Sequence, residues 1–202
     1  TGVGSLYRIT TSKGDTFVCN EDHILSLRKC GSGKLTNISI KEYLSKSADF
    51  KHHNKIWKTG FELPENPTSL DPYVVGLWIG DGELRKPIIC HTIKDREIIS
   101  SLKKTAKQLG YRLRYVPDTR NDTGNWKFNG GLTGGKPNLF MTYISNCVVN
   151  EEKRIAPEYL YNSRNVRLNL LAGIIDTDGY VDRGCVEITT KYVGLASDIL
   201  YL

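Results

Sequence analysis

Two aspartate–glycine pairs, Asp81-Gly82 and Asp178-Gly179, each follow an apolar segment. The second segment reads LLAGIIDTDGY from Leu170 to Tyr180. If two such carboxylates are brought together they repel each other, and a divalent cation neutralises them most simply. Hard oxygen ligands with open positions suit Mg²⁺ in phosphodiester hydrolysis. We therefore predict that Asp81 and Asp178 bind Mg²⁺ and are catalytic; the alternative is that they end two ordinary helices.

The two pairs belong to an internal repeat with an offset of 97 residues and no gap. VVGLWIGDG (74–82) lies over LAGIIDTDG (171–179). Each copy predicts a helix, an Asp-Gly turn, a strand and a second helix with i, i+4 apolar spacing. Further matches follow the turn: Thr92 with Thr189, Lys94 with Lys191, Ile98 with Leu195, and Leu102 with Ile199.

Small residues occupy matching positions in the two apolar segments. Gly76 lies in the first, and Ala172 and Gly173 lie in the second. Small residues let two helix backbones approach closely. We expect the two helices to pack about an approximate twofold axis, which would bring Asp81 and Asp178 side by side at their C-terminal ends.

The positive charge is concentrated in residues 85–120. The chain has a net charge of +6, and this window contains ten Lys and Arg against three Asp and Glu, a net +7, so the rest sums close to neutral. Such localisation is typical of proteins that bind the phosphate backbone of nucleic acids; the alternative is a solvated lysine-rich helix face.

Composition predicts an intracellular, cytoplasmic or nuclear protein without a membrane partner. No apolar run approaches the roughly 18 residues that span a bilayer, and no signal-peptide pattern opens the chain. The five cysteines are scattered and form no C-x-x-C pair, as expected of free thiols in a reducing compartment. A zinc site is conceivable, although its ligand spacings fit no usual pattern; its ligands would be Cys19, His23, Cys30, His52 and His53.

The repeated segments resemble the two motifs of the LAGLIDADG homing endonucleases. The resemblance covers roughly residues 71–202, through GLWIGDG and LLAGIIDTDG. It implies an enzyme that cuts double-stranded DNA with Mg²⁺, a pseudo-dimeric monomer, and metal binding by the last acid of each motif, here Asp81 and Asp178. It also implies a saddle of strands on double-stranded DNA. The predicted DNA contacts of the first saddle are Arg85, Lys86, His91, Lys94, Arg112, Arg114, Arg120 and Lys127. Asp176 has no acidic counterpart in the first copy, where Ile79 stands, and is given no metal role.

A catalytic lysine follows from the same resemblance. EEKRIAPEYL (151–160) resembles the Lys-x-Ile-Pro block that precedes the second motif in this family, with Ala156 as one extra residue. The resemblance implies that Lys153 polarises solvent near the metal. The alternative is that Lys153 is merely solvated.

The first segment resembles a block of intein splicing domains, also called Hint domains. In GDTFVCNEDHILSL a histidine, His23, lies three residues after Asn20. The resemblance implies that His23 assists the acyl shift at an N-terminal splice junction, by protonating the leaving nitrogen. Splicing also requires a nucleophile at residue 1, where Thr1 stands, and a terminal His-Asn, so we expect an internal fragment of an intein with host exteins on either side.

The predicted fold class is α+β, with a β-rich Hint-like segment followed by a LAGLIDADG domain of αββαββ repeats. We expect a partial splicing domain at 1–62, a linker at 63–72 and an endonuclease domain at 73–202, with repeats at 73–150 and 165–202. The second repeat would be incomplete, so we expect weak binding and poor cleavage from this polypeptide alone. Two alternatives remain open: a decayed DNA-binding module, and a free-standing homing endonuclease without a splicing history.

Overall fold

Short antiparallel sheets alternate with helices along the chain, which confirms the α+β class. The computed structural model describes residues 4–11, 14–120, 122–130 and 137–202. The chain divides into two units, unit 1 (residues 1–60) and unit 2 (residues 61–202). No helix within the described residues is long and apolar enough to cross a bilayer.

Unit 1 is built from small antiparallel sheets and two short helices. A hairpin joins β1 and β2, as the β-rich sequence predicted, and a second sheet has the order β4–β3–β5. Strand β3 buries Leu25 and Leu27 on one face, where they meet Ile38 and Ile40. The described elements are β1 (Leu6–Thr10), β2 (Thr16–Asn20), β3 (Ile24–Lys29), β4 (Leu35–Ser39), α1 (Ile40–Ser45), α2 (Ala48–His53) and β5 (Asn54–Ile56).

Unit 2 has two helices at its centre, α3 and α7, which contact each other along their length. A three-stranded antiparallel sheet of order β6–β8–β7 lies beside them. Its described elements are α3 (Pro72–Asp81), β6 (Ile88–Thr92), α4 (Arg96–Gln108), β7 (Arg112–Pro117), β8 (Thr123–Asn129), α5 (Leu139–Ile144), a 3₁₀ turn (Ser145–Cys147), β9 (Val148–Val149), β10 (Glu152–Lys153), α6 (Pro157–Leu160), α7 (Arg164–Asp178), β11 (Gly179–Asp182), β12 (Cys185–Ile188) and α8 (Val193–Tyr201).

One face of the three-stranded sheet forms part of the core of unit 2. Alternation along the strands directs Ile89, Trp126 and Phe128 inward, where they join the side chains of α3 and α4 in one apolar cluster. Cross-strand partners share a face of a sheet. The partner of Ile89 is Trp126, and that of Arg114 is Lys127, so the basic residues of β7 and β8 lie on the opposite face.

The repeat predicted from the sequence is present in the structure. Under the offset of 97 residues the end of α3 falls on the end of α7, β6 falls on β12, and α4 begins where α8 begins. The copies differ after the Asp-Gly turn: the second forms the hairpin β11–β12, whereas the first forms only one bridge, Gly82 to Ile89. Gly184 turns the hairpin with φ of 81°. Pro87 stands at the matching position, and its ring holds φ near −65°, so the first copy cannot make this turn.

The proline-rich segment expected to be a linker is tied to unit 2. Residues 62–71 form no helix or strand, but three backbone N–H groups donate to side chains near α6. Asn66 donates to Asn162 Oδ1 at 3.0 Å, Ser69 to Glu158 Oε2 at 2.9 Å, and Leu70 to Tyr159 Oη at 3.1 Å. The segment expected to be a linker at 63–72 is therefore hydrogen-bonded to the rest of unit 2 at three points.

Candidate active site

Helices α3 and α7 both begin at a capped N-terminus. The Asp71 carboxylate accepts from the N–H of Tyr73 at 3.0 Å, and Pro72 occupies the first turn, where no N–H is needed. The Ser163 hydroxyl accepts from the N–H of Val166 at 3.3 Å. These caps fix where each helix starts, and the helix length then fixes where its last residue, Asp81 or Asp178, emerges.

The two helices approach each other through a reciprocal glycine contact. A Cβ on Gly76 would lie 2.2 Å from the carbonyl oxygen of Leu170, and a Cβ on Gly173 would lie 2.2 Å from that of Tyr73. Tyr73 and Leu170 are themselves 97 residues apart, so the contact repeats about the predicted axis. The close approach predicted from the small residues is confirmed.

The close approach places the carboxylates of Asp81 and Asp178 near each other. The carboxyl carbon of Asp178 lies 3.4 Å from the position of a Cβ on Gly80, the residue before Asp81. The pKa of Asp178 is raised, first by partial withdrawal of its carboxylate from water and then by the charge of Asp81, while Lys153 acts in the opposite direction. The structure thus brings together three of the four residues predicted to be catalytic.

Lys153 is buried at the end of α3, so the alternative that this residue is merely solvated is wrong. Its side chain is buried, with 7% of the residue exposed. Its Nζ donates to the carbonyl oxygens of Trp78 at 3.0 Å, Ile79 at 2.8 Å and Gly80 at 2.9 Å. Burial lowers the pKa of Lys153 to about 8, although the charges of Asp178 and Asp81 act to raise it. All three donors of the ammonium are used, so Lys153 caps the C-terminus of α3, directly before Asp81.

We expect Lys153→Met to destabilise unit 2 by about 3 kcal/mol, because three carbonyls at a helix end lose a charged donor. Chemical denaturation, followed by the fluorescence of buried Trp78, measures this loss. Lys191→Met is the matched control, since Lys191 is exposed beside the same site and its replacement should stay within about 0.5 kcal/mol. If the two variants unfold at the same denaturant concentration, the capping role is wrong.

The segment that carries Lys153 is fixed by an ion pair whose acid, Asp198, is buried and whose base, Arg154, is partly exposed. Arg154 donates from Nε and Nη2 to the carboxylate of Asp198 at 2.6 and 2.7 Å, and the N–H of Ile155 donates to the same group at 3.0 Å. Asp198 lies on α8 and is 5% exposed. Bidentate pairing of this kind fixes geometry as well as charge. It holds the Lys153 backbone against the second repeat.

An open concavity of about 450 Å³ adjoins Asp178 and Lys153. Thr189, Thr190 and Lys191 also line it. Lys191 is not among the DNA contacts predicted from the sequence, although it lines this concavity. It matches Lys94 under the repeat offset, so the repeat itself could have identified it.

Asp176 makes an interhelical bond that the sequence did not predict. Its carboxylate accepts from the hydroxyl of Tyr73 at 2.6 Å. Burial and this bond raise the pKa of Tyr73 above its ordinary value. The bond has no counterpart across the repeat, because Leu170 and Ile79 occupy the matching positions. The Asp176–Tyr73 hydrogen bond therefore links α7 to α3 at only one of the two positions that the repeat relates.

The predicted DNA contacts separate into three groups in the structure. Arg112, Arg114 and Lys127 lie on the face of the sheet that points away from the core. None of these three has a carboxylate partner within the described part of unit 2. They are the cations of the predicted set that are free to bind phosphates.

Four of the other predicted contacts are already in surface ion pairs. Lys86 lies 3.0 Å from Glu83 and Arg120 lies 2.8 Å from Asp118. Exposed pairs of this kind contribute little to stability, and a phosphate can replace the acid. The four pairs are Arg85 with Glu151, Lys86 with Glu83, Lys94 with Asp122, and Arg120 with Asp118.

His91 is placed apart from the other predicted contacts. Alternation along β6 puts it on the same face as Ile89, and its side chain is 14% exposed. Its Nδ1 lies 3.4 Å from Asp81 Oδ2, and its Nε2 lies 3.6 Å from Asp95. The hydrogen bond to Asp81 raises the pKa of His91. This position differs from the DNA-facing one expected, and it makes His91 a neighbour of the candidate metal ligand.

His23 lies in unit 1, exposed between β2 and β3, with its ring centroid 6.0 Å from that of Phe17. Thr1, which stands where splicing requires a nucleophile, lies outside the described residues. Among the described residues no group of three or more His, Cys, Asp and Glu side chains is arranged to hold a metal ion. The conceivable zinc site in unit 1 therefore has no support from the structure.

The carboxylates of Asp81 and Asp178 fit Mg²⁺ by their chemistry. Mg²⁺ is usually bound in proteins by one or two carboxylates together with water and substrate phosphates. The carboxylate of Asp178 has no hydrogen bond or ion pair within the part of the chain that the structure describes. Its mutual repulsion with Asp81 is the kind that a cation removes. The two residues could therefore hold one ion and leave its other positions open.

Comparison with known proteins gives two distant relatives. The chain is 29% identical over 156 residues to the replicative DNA helicase DnaB of Mycobacterium intracellulare, covering 75% of this chain and 21% of the relative. It is 30% identical over 156 residues to the homothallic switching endonuclease of Saccharomyces cerevisiae, covering 64% of this chain and 26% of the relative. The chain thus spans about a quarter or less of the length of these relatives. No protein-family model matches the chain.

Proposed function

We propose that the chain is part of a LAGLIDADG homing endonuclease carried within an intein, and that it hydrolyses double-stranded DNA with Mg²⁺. The observation that carries this proposal is the pair of helices that meet through Gly76 and Gly173 and end in Asp81 and Asp178. The similarity to an endonuclease supports a nuclease.

The similarity to a helicase supports the intein part of the proposal. A helicase and an endonuclease perform different reactions, yet both resemble this chain over 156 residues that are about a quarter or less of their length. A mobile segment inserted into a host protein accounts for both matches. His23 would then belong to the splicing domain, and the chain's other partners would be the host exteins.

Under this proposal, residues at different positions in unit 2 have different roles. Asp81 and Asp178 would hold the ion, and Lys153 would keep the end of α3, and hence Asp81, in place. Arg112, Arg114 and Lys127 would bind backbone phosphates on the open face of the sheet. A bound Mg²⁺ supplies charge neutralisation at the scissile phosphate and a more acidic attacking water.

The test is cleavage of the uninterrupted host gene. The coding sequence on either side of the intein, joined without it, gives the candidate target duplex. We expect the protein expressed from the complete coding frame to cut this duplex at the junction in Mg²⁺ and not in EDTA. Binding of the duplex without cleavage under any divalent cation would instead favour a decayed DNA-binding module.

A further inference from the structure

Unit 1 carries more net positive charge than unit 2, although it has fewer residues. Residues 1–60 contain ten Lys and Arg against five Asp and Glu, whereas residues 61–202 contain 18 against 17. The +7 of residues 85–120 is thus almost cancelled by acids elsewhere in unit 2. The charge of unit 1 has no such compensation.

Two cations of unit 1 face each other across paired strands. Arg28 on β3 lies directly opposite Lys55 on β5, in a register that also pairs Leu27 with Ile56. Like charges in this position destabilise a sheet. The ion pairs among the described residues of unit 1 leave out Arg28, Lys29 and Lys55. Among the described residues, no acid therefore neutralises either cation of this cross-strand pair.

The pair borders an open concavity of about 370 Å³ that Lys29 and Trp57 also line. The turn from β3 to β4 forms one wall, and Gly33, with φ of 68°, leaves room for the Arg28 guanidinium, whose nearest nitrogen lies 3.4 Å from a Cβ built there. Trp57 is 39% exposed, whereas Trp78 and Trp126 are 0% and 5% exposed. An exposed tryptophan among cations is a suitable surface for nucleic acid.

The cationic lining continues beyond this concavity. Lys55 also borders a second concavity, of about 650 Å³, whose lining includes Arg8, Lys51 and Lys58. Lys58 is neutralised by Asp15. The cations that line the first concavity and have no acidic partner among the described residues are Arg28, Lys29 and Lys55, and with Trp57 we call these four residues the unit 1 basic surface.

We infer that the unit 1 basic surface binds the phosphate backbone of duplex DNA, as a contact separate from the sheet of unit 2. The choice of duplex DNA as the ligand rests on the proposed function; the surface itself rests on charge and register. A phosphate placed between Arg28 and Lys55 would relieve their repulsion, and contacts of this kind add affinity without sequence preference.

Tryptophan quenching by acrylamide tests the inference on the full chain. With Trp78 and Trp126 buried, the accessible signal belongs to Trp57. We expect a short duplex of arbitrary sequence, added in EDTA, to protect Trp57 from quenching. Unchanged quenching at saturating duplex would overturn the inference.

Charge-removing variants provide the second measurement. Arg28→Gln with Lys55→Gln should lower the slope of log K against log salt by about two, since each lost phosphate contact removes about 0.9. Lys34→Gln with Lys41→Gln is the control: it removes the same charge from exposed positions of unit 1 outside the concavities, and should leave the slope unchanged. Equal slopes for the two double variants would mean that only net charge matters and would overturn the inference.

The two proposals fail in different ways. Both measurements are made in EDTA and require no cleavage. Protection of Trp57 without cleavage of the joined duplex in Mg²⁺ would contradict the endonuclease and leave the surface intact. Cleavage of the joined duplex with Trp57 still unprotected would support the endonuclease and contradict DNA binding by the unit 1 basic surface. Thermal unfolding of the Arg28 and Lys55 double variant should occur at the same or a higher temperature than in the parent, because a repulsive pair has been removed.

Discussion

Asp178→Asn is expected to lower the rate of Mg²⁺-dependent DNA cleavage by at least about 1,000-fold, the order of effect seen when a group that stabilises transition-state charge is removed. The amide has nearly the shape of the carboxylate but no charge, so one of the two proposed metal ligands is weakened without a change in packing. Duplex binding in EDTA should survive or strengthen slightly, because a negative charge near phosphates is removed. Cleavage of the joined host-gene duplex and binding to it are measured on the same protein preparation.

Asp176→Asn is the matched control for this prediction. Asp176 is exposed on the same turn of α7, two residues away, and its carboxylate accepts from Tyr73 rather than facing Asp81. We expect it to retain cleavage close to that of the parent. If Asp178→Asn still cuts at a comparable rate, or if both variants lose cleavage equally, the metal assignment is wrong.

Gly173→Ala is expected to destabilise unit 2 by about 3 kcal/mol or more, as overpacking at a rigid contact does. In most helix interiors this change stabilises by up to about 1 kcal/mol, so the steric argument reverses the usual sign. The added Cβ would lie 2.2 Å from the carbonyl oxygen of Tyr73 and 2.8 Å from the nitrogen of Leu77, both of which are backbone atoms that cannot turn aside. The helices must separate, and Asp178 then moves away from Asp81.

Urea unfolding measures the effect of Gly173→Ala, with Trp57→Phe as the background so that fluorescence reports on Trp78 and Trp126 in unit 2. Gly60→Ala is the control, because nothing lies within 4 Å of its Cβ position and its φ is not positive. We expect that control to change stability by no more than about 0.5 kcal/mol. A Gly173→Ala protein as stable as this control would show that the helices are not held at the distance described.

The packing of α3 against α7 could be predicted from the sequence because the helix and its terminal aspartate occur twice in an internal repeat. The offset of 97 residues identifies the two helices, their small contact residues and the two terminal aspartates without any knowledge of side-chain contacts. The β-rich first segment likewise agrees with the strands β1 and β2. Predictions that rest on the order and spacing of residues along the chain therefore agree with the structure.

Features that depend on contacts between distant segments could not be predicted in the same way. Nothing in EEKRIAPEYL indicates that the ammonium of Lys153 meets three carbonyls of a helix more than 70 residues earlier. Net charge in a window likewise does not reveal which cations already have acidic partners. The hydrogen bonds from residues 62–71 to Glu158, Tyr159 and Asn162 could not be predicted for the same reason. A proline-rich composition fits a free linker and a hydrogen-bonded segment equally well.

The difference between the two repeats had a local signal. Pro87 and Gly184 occupy the same position in the two copies, and only glycine adopts the positive φ of the β11–β12 turn readily. Comparing the turn residues of the copies, as well as their apolar positions, would have predicted one hairpin and not two.

Paramagnetic broadening by Mn²⁺ tests most directly the claim that Asp81 and Asp178 hold one divalent ion between them. Mn²⁺, a hard cation that accepts the same oxygen ligands as Mg²⁺, is titrated into the isotopically labelled chain while the amide signals are followed. We expect the amides of Gly82 and Gly179, which directly follow the two acids, to broaden together at the lowest Mn²⁺ concentrations. Mg²⁺ should reverse this broadening, and Asp178→Asn should abolish it at both glycines. Broadening of one glycine alone, or of both in Asp178→Asn as in the parent, would contradict a shared metal site.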